Sequence, residues 1–493
     1  MTSLWLDGTR RDFSSEFVAS SEFDVVVVGA GLTGVVTALL FARTGRKVAL
    51  LEARTTGAVT TGNTTGKISL LQGTRLASIA KKHSPSAVRA YVEANRAGQQ
   101  WLLSFCTDNS VAVQRETAFT YANSVDGTTT LRDEFDAARA AGLDVQWTDT
   151  VELPFPVAGA IRLEDQAQFD SVSALDALTE EFVHRGGKVH EYTRVRTVRG
   201  NRHRRSIHTD RGDISAETVV IATGTPILDR GGFFARLEPQ RSYAAAFTVP
   251  GDIPHGMYLS VDEPSRSIRY VPAGDRELLL VGGNGHPVGR AASPARNLEE
   301  LITWTGKSFP GAELTHSWSA QDYRPVNELP YVGQLVPGDS SILIATGYAK
   351  WGLTNAVAAA LALTAEVSGS RKDWSVIYTP WDWNQISGLP KAAVVNGEVA
   401  VEMASGWVRP LINRFGSSGE PPEGEGRVVW DGIAPSAHCT VDGVAHRVSA
   451  VCPHLGGILR WNDAERSWDC PLHGSRFAAD GVLLEGPATS DLT

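Results

Sequence analysis

Four side chains near the C-terminus are spaced for metal chemistry. Cys452-Pro453-His454 offers a thiolate and an imidazole. Fifteen residues later, Cys470-Pro471-Leu472-His473 offers a second such pair. Each short loop supplies one sulfur and one nitrogen. That is the donor set of a [2Fe–2S] cluster in which two Cys hold one iron and two His the other, a centre that carries single electrons. Zinc also accepts two Cys and two His and stays as the alternative, although zinc fingers group Cys with Cys and His with His. The chain has only four Cys and twelve His, so chance pairing of unrelated residues does not account for two matched loops.

The segment from about residue 425 onward resembles the Rieske family, whose two cluster-binding loops match CPHLGG and CPLHGSRF. The resemblance implies that Cys452 and Cys470 ligate one iron and His454 and His473 the other. Respiratory members carry an extra Cys in each loop, joined as a disulfide. Gly457 and Leu472 occupy those places here. Ser475 keeps the position of a hydroxyl that hydrogen-bonds a cluster sulfur, whereas Phe477 stands where Tyr is common. One fewer donor to sulfur implies a lower reduction potential.

A second constellation opens the chain. Phe23–Val28 reads as a buried strand, followed at once by Gly29-Ala30-Gly31-Leu32-Thr33-Gly34 and a helical stretch to Arg43. Gly29 allows the tight turn and Gly31 the approach of a pyrophosphate to the helix N-terminus. Gly34 lets helix and strand pack closely. Val48–Leu51 is a second strand, and Glu52, 23 residues after Gly29, stands where a carboxylate accepts from ribose hydroxyls. Strand, glycine turn, helix, strand and acid together specify a dinucleotide. Val219–Ala222 followed by Thr223-Gly224 reads as a further strand. So does Ile342–Ala345, followed by Thr346-Gly347-Tyr348. Gly352-Leu353-Thr354 then opens an Ala-rich helix whose N-terminus suits reduced, anionic flavin.

Residues from about 20 to 380 resemble the D-amino-acid-oxidase-like (DAO) FAD-dependent oxidoreductases. Thr60–Lys67, which includes Thr64 and Thr65, matches the loop that this family runs past its flavin. Arg324–Gly333 resembles its late Asp-Gly-x-Pro-x-x-Gly element, with Glu-Leu replacing Asp-Gly. The module order resembles bacterial FAD/Rieske fusion oxidoreductases. The implied fold is an α/β Rossmann-like FAD-binding unit of two-dinucleotide-fold type, interleaved with a mixed-sheet substrate domain and followed by a small all-β Rieske domain. The expected divisions are 1–385 for the flavin part, with its substrate region at about 85–160 and 235–320, then 386–424 as connector and 425–493 as the cluster domain. Helical spacing of Trp407, Val408, Leu411, Ile412 and Phe415 suggests an amphipathic connector, and Gly416–Gly424 a turn-rich linker. Asp442-Gly443 and Asp480-Gly481 read as hairpin turns.

Bulk properties fit this frame. The chain's 493 residues suffice for two or three domains, and a net charge of −9 argues against a general nucleic-acid binder. No apolar run reaches the length of a spanning helix. Two Cys beyond the cluster pair are too few for a disulfide framework, which implies a reducing cytoplasm. Arg194, Arg196, Arg199, Arg202, Arg204 and Arg205 form a basic run, read either as a docking face for an acidic partner or as a solvated hairpin.

The resemblance implies oxidation of a C–N bond, or of an N–N bond, by hydride transfer to FAD. Lys67, Lys350 and Thr354 are nominated to support the flavin, and Arg241, Tyr243 and His286 to orient the substrate. The expected partners are an amine- or amino-acid-like small molecule and a one-electron acceptor or donor protein. Two other readings stand beside this one: a reductase component serving a separate oxygenase, and an oxidase whose Rieske domain only docks or supports. Because the cluster domain lies behind a Gly/Pro-rich linker, the FAD fingerprint at Gly29–Gly34 is expected to fold and bind cofactor without the cluster.

Overall fold

The computed structural model describes residues 1–382, 385, 397, 399–407, 419–431 and 434–493. Val408, Leu411, Ile412 and Phe415 of the expected connector lie outside the described residues, as does the first part of the expected linker.

The apolar runs build one sheet. Glu22–Val28 lies between Val48–Leu51 and Gly212–Ile221, parallel to both, with Ile342–Thr346 parallel beyond and Lys188–His190 at the far side. Tyr331–Gln334 runs antiparallel at the edge. Val25 to Val27 and Val48 to Leu51 are essentially inaccessible, as expected for parallel strands covered on both faces. The helices Leu32–Arg43 and Gly352–Val367 pack beside each other with their N-terminal ends at one pocket. Gly29 has φ of +101°, and a Cβ there would lie 2.5 Å from the Ala222 carbonyl oxygen, so both conformation and crowding demand glycine.

A second, nine-stranded mixed sheet carries Val113–Ala122 and Gly159–Phe169 in one half. Leu237–Thr248, Arg266–Ala273, Arg276–Pro287 and Glu313–Pro325 form the other. The halves join where Met257–Ser260 runs parallel to Val113–Ala122. Cross-strand pairing of Leu237–Thr248 with Glu313–Pro325 sets two faces: Ser242 and Asp322 on one, Arg241, Tyr243 and Gln321 on the other.

The C-terminal module has two small antiparallel sheets around Trp468, Phe477 and Leu483. Asp442 and Gly443, at φ +53° and +75°, turn the Ala434–Val441/Val444–Ser449 hairpin, a pairing that Asp-Gly favours. Asp480-Gly481 lies between the paired strands Arg476–Ala478 and Leu483–Glu485.

This module seats on the Arg241 face of the mixed sheet through buried charge. Arg241, 2% exposed, grips Glu465 with two nitrogens, Nη2 to Oε1 at 2.6 Å. Arg476 meets Glu465 at 3.0 Å, Glu485 at 2.8 Å and Asp469 at 3.1 Å. Ser293 and the Ala295 amide both donate to Asp463, and Gln321 Nε2 donates to the Gly474 carbonyl at 2.8 Å. The basic run also turns inward. Arg194 donates to the Leu483 carbonyl, Arg196 to that of Thr489, and Arg205 pairs with buried Asp339. Two of its six arginines thus dock the chain's own C-terminal segment.

Candidate functional site: a dinucleotide pocket beside two cluster loops

The pocket opens where the parallel strands end. Gly29, Gly31, Leu32 and Thr33 line it at the glycine turn, with Glu52 at the next strand end. Thr64, Thr223, Gly224, Gly347, Gly352 and Leu353 form further wall. Gly34 lies outside the lining and instead meets the Gly29 carbonyl so closely that no Cβ fits. The Glu52 carboxylate accepts from the Ala30 amide at 2.8 Å and the Arg54 amide at 2.9 Å, while burial raises its pKa. The Leu32 amide donates to Thr61 Oγ1 at 3.0 Å, and Thr33 shares a hydrogen bond with the Tyr348 hydroxyl at 3.1 Å. A glycine cradle at a helix N-terminus, followed by a fixed carboxylate, fits a dinucleotide such as FAD.

Three nominated cofactor residues face elsewhere. Lys67 is buried with Nζ against the Tyr258 carbonyl and Ser267, and burial, then the nearby Arg269, lowers its pKa to about 7. Thr65 gives its carbonyl to Arg269. The Thr354 hydroxyl donates to Asn95 at 2.6 Å, outside the pocket lining.

The remaining nominated residues, Lys350 for the flavin and three for the substrate, separate in the same way. Lys350 lines the pocket, on a turn where Ala349 and Lys350 are both left-handed at φ +47° and +71°. Holding two non-glycine residues there costs about 1–3 kcal/mol each, a strain that concentrates at functional turns. Arg241, Tyr243 and His286 do not reach the pocket. Arg241 is committed to Glu465, and the Tyr243 hydroxyl bonds His286 Nε2 at 3.0 Å. The reason is strand alternation: residues 241 and 243 project to the Rieske side, and residue 242 to the other.

The pocket-side face supplies residues that the sequence did not single out. Asp322 lines the pocket, accepts the Lys350 amide, and has a buried Oδ2 with no partner among the described residues. Burial raises its pKa against the pull of Lys350. Lys350 Nζ lies beside Ser242 and Gly285, where a Cβ on Gly285 would come within 2.7 Å of it. Arg194 also lines the pocket, as do Leu484, Glu485, Gly486, Ala488 and Thr489 from the cluster module. Thr61 belongs to the Thr-rich loop and Arg194 to the basic run. Asp322 carries no local signal.

The cluster loops lie across the Arg241 face. The Cys452 and Cys470 sulfurs contact each other, and the His454 and His473 rings stand 5.0 Å apart, each edge-on to Phe234. His454 Nε2 bonds Asp229 at 2.8 Å, which leaves Nδ1 for a ligand, and His473 Nδ1 is buried without a partner among the described residues. Burial first, then His454, lowers the His473 pKa to about 4, so its imidazole is neutral as ligation requires. The Cys470 contact lowers the Cys452 pKa, aided by the His454 amide, Ser475 and the Leu455 amide. The donors stand as two pairs, sulfur beside sulfur and ring beside ring, the arrangement that two irons with two ligands each call for. Gly457 faces Leu472, with a Cβ position 2.7 Å from its side chain, so leucine fills the place of a disulfide. Backbone bonds close the loops instead: Cys452 N–H to Gly457 and Cys470 N–H to Ser475, both 2.8 Å.

Comparison with known proteins agrees with both halves. Residues 24–366 match the family described as FAD dependent oxidoreductase (DAO), and residues 422–493 the Rieske [2Fe-2S] domain. A Bacillus subtilis (strain 168) protein, YhfW, described by name as a Rieske 2Fe-2S iron-sulfur protein, is 29% identical over 99% of this chain and 96% of its own length. The cytochrome b6-f complex iron-sulfur subunit of Synechococcus sp. (strain JA-3-3Ab) is 47% identical over 9% of this chain and 26% of its own. Among solved structures, glycine oxidase from Geobacillus kaustophilus superposes at TM-score 0.61 with 20% identity, covering 73% of this chain and 98% of that one. L-Amino acid deaminase from Proteus myxofaciens superposes at 0.59 with 15% identity, covering 74% and 94%. No helix among the described residues is long and apolar enough to cross a membrane. The chain belongs to the DAO family of FAD-dependent oxidoreductases, and carries, beyond its FAD-binding fold, a Rieske domain that binds a [2Fe–2S] cluster.

Proposed function

We propose that this enzyme dehydrogenates an amine- or amino-acid-like substrate at a C–N bond and passes the electrons singly to a partner protein. When bound, FAD supplies hydride acceptance and the [2Fe–2S] cluster one-electron transfer. The observation that carries the substrate reading is the Asp322/Lys350 pair at the pocket. The two attract each other, and among the described residues one Asp322 oxygen has no partner. A carboxylate beside a cation is complementary to an ammonium and a carboxylate on one small molecule. The strained turn at Ala349-Lys350 fixes the cation, while the Lys350 amide fixes the acid. The names of fold neighbours, a glycine oxidase and an L-amino acid deaminase, are in keeping with this reading.

The test is anaerobic flavin bleaching with a panel of amines, amino acids and hydrazine-type compounds. Bleaching by a zwitterionic amine supports the proposal. Rapid bleaching by NAD(P)H alone, with none by any amine, replaces it with a reductase serving another enzyme.

A further inference from the structure

The end of the chain takes part in two sites at once. Leu484, Glu485, Gly486, Ala488 and Thr489 line the dinucleotide pocket together with Thr223 and Tyr323. The flavin module holds this segment by its backbone. Arg194 Nη2 donates to the Leu483 carbonyl at 2.8 Å, Arg196 to that of Thr489, and the Tyr323 hydroxyl to that of Gly486 at 3.4 Å. The Rieske module holds it from the other side. The Ala488 amide donates to Ser475 Oγ at 3.0 Å, and the Ser475 side chain also bonds Cys452. Glu485 pairs with Arg476 at 2.8 Å, and the Leu483 amide donates to Asp491 at 2.8 Å. Five of the pocket's lining residues thus come from the Rieske module.

We infer that Leu484–Thr489 is a cofactor-binding strap: residues of the Rieske module complete the FAD site, and the cluster loop is tied to it through Ser475. Coupling of this kind is reciprocal. What the strap adds to FAD affinity, bound FAD returns as order in the strap, and the strap's contacts with both modules are the route. The inference stands on the cofactor assignment and the pocket geometry, whatever the substrate proves to be.

Hydrogen exchange on the full-length, cluster-loaded protein tests it directly, with FAD stripped and then restored. The amides of Glu485, Ala488 and Thr489 are expected to slow by about tenfold or more on FAD binding, equivalent to about 1.4 kcal/mol of local order. Amides of Val444–Ser449, remote from the pocket lining, should not change and serve as the control. Strap rates that match with and without FAD would overturn the inference. A second measurement uses Thr489→Trp, which pushes bulk into the pocket from the strap. Its FAD dissociation constant should rise by about tenfold or more while iron content and cluster spectrum stay at parent values. Parent FAD affinity in that cluster-loaded variant would also overturn it. Should the variant lose its iron, the exchange result on the parent decides alone.

Discussion

The cluster site and the flavin site recruit their residues in opposite ways. The candidate cluster ligands are four side chains from two loops within one small module, braced by backbone bonds that each loop makes to itself. The flavin pocket draws on the glycine turn near the start of the chain, on strand ends near residues 223 and 347, and on a strap near its end. Much of its wall is backbone or small side chain. A site made of side-chain chemistry can be damaged by a single substitution. A site made of backbone placement depends on every element that carries the backbone, here including the other module. The two modules share one pocket wall, and a buried ion network of Arg241, Glu465 and Arg476, which stands outside the pocket lining, joins them.

The sharpest break in this comparison is Cys470→Ser. Iron should fall to background, because one thiolate ligand is gone. Substrate bleaching should persist only when FAD is supplied in excess, since the strap loses its anchored neighbour. Delivery to a one-electron acceptor should fall to background in the same samples. Iron content, anaerobic bleaching with and without added FAD, and steady-state acceptor reduction check the three in turn. Unchanged FAD affinity would restore the picture of an autonomous flavin half.

Next in size is the interface. Glu465→Gln leaves Arg241 and Arg476 partly uncompensated in a buried site, at a cost of about 3 kcal/mol. Burial pushes the Glu465 carboxyl up, but Arg241 and Arg476 more than reverse this and hold it well below the usual carboxylate range. Its stabilising contribution is thus fully present above its ordinary value of about 4.5 and is lost as pH falls further. Denaturant unfolding should show a gap between parent and variant that is full at neutral pH and narrows below that value. A gap independent of pH would show that Glu465 is not held as an ion pair.

At the pocket, Asp322→Asn and Lys350→Met should each slow flavin reduction by about 100-fold, the scale set by loss of substrate placement. Arg241→Gln should act on module docking rather than on substrate binding. Stopped-flow traces across substrate concentration separate these effects. A rise in the apparent substrate dissociation constant for Arg241→Gln, with docking intact, would return that residue to the substrate site.

How much of this is legible in the sequence follows from the same contrast. The candidate cluster ligands stand out because thiolate and imidazole at fixed short spacing serve little besides metal ligation. The glycine turn can be read because each glycine meets a separate steric demand. Arg241, Tyr243 and His286 have suitable chemistry on the wrong face. Chemical type near a strand end selects them, and the sequence does not say which face of a two-sided buried strand meets the flavin. Asp322 is one acid among many until pairing sets it opposite Gln240 and beside the Lys350 turn. The strap cannot be read at all, because its contribution is backbone position, which no residue type marks.

A smaller effect sharpens the cluster side. Phe477 is fully buried in the cluster module's core and has no hydroxyl to offer a sulfur. Phe477→Tyr should raise the cluster midpoint from the lower part of the roughly −150 to +300 mV Rieske range. A redox titration by EPR reads the shift, and a fall in midpoint would show that the added hydroxyl does not reach a sulfur.

The most direct measurement is a single anaerobic turnover with rapid freeze-quench, in full-length protein mixed with a bleaching substrate and no external acceptor. If the modules form one electron-transfer unit, flavin absorbance falls first and the reduced-cluster EPR signal then grows within the same turnover, up to one spin per chain. A cluster that stays oxidised while the flavin is fully reduced would contradict this and leave the Rieske module as a structural wall of the flavin site.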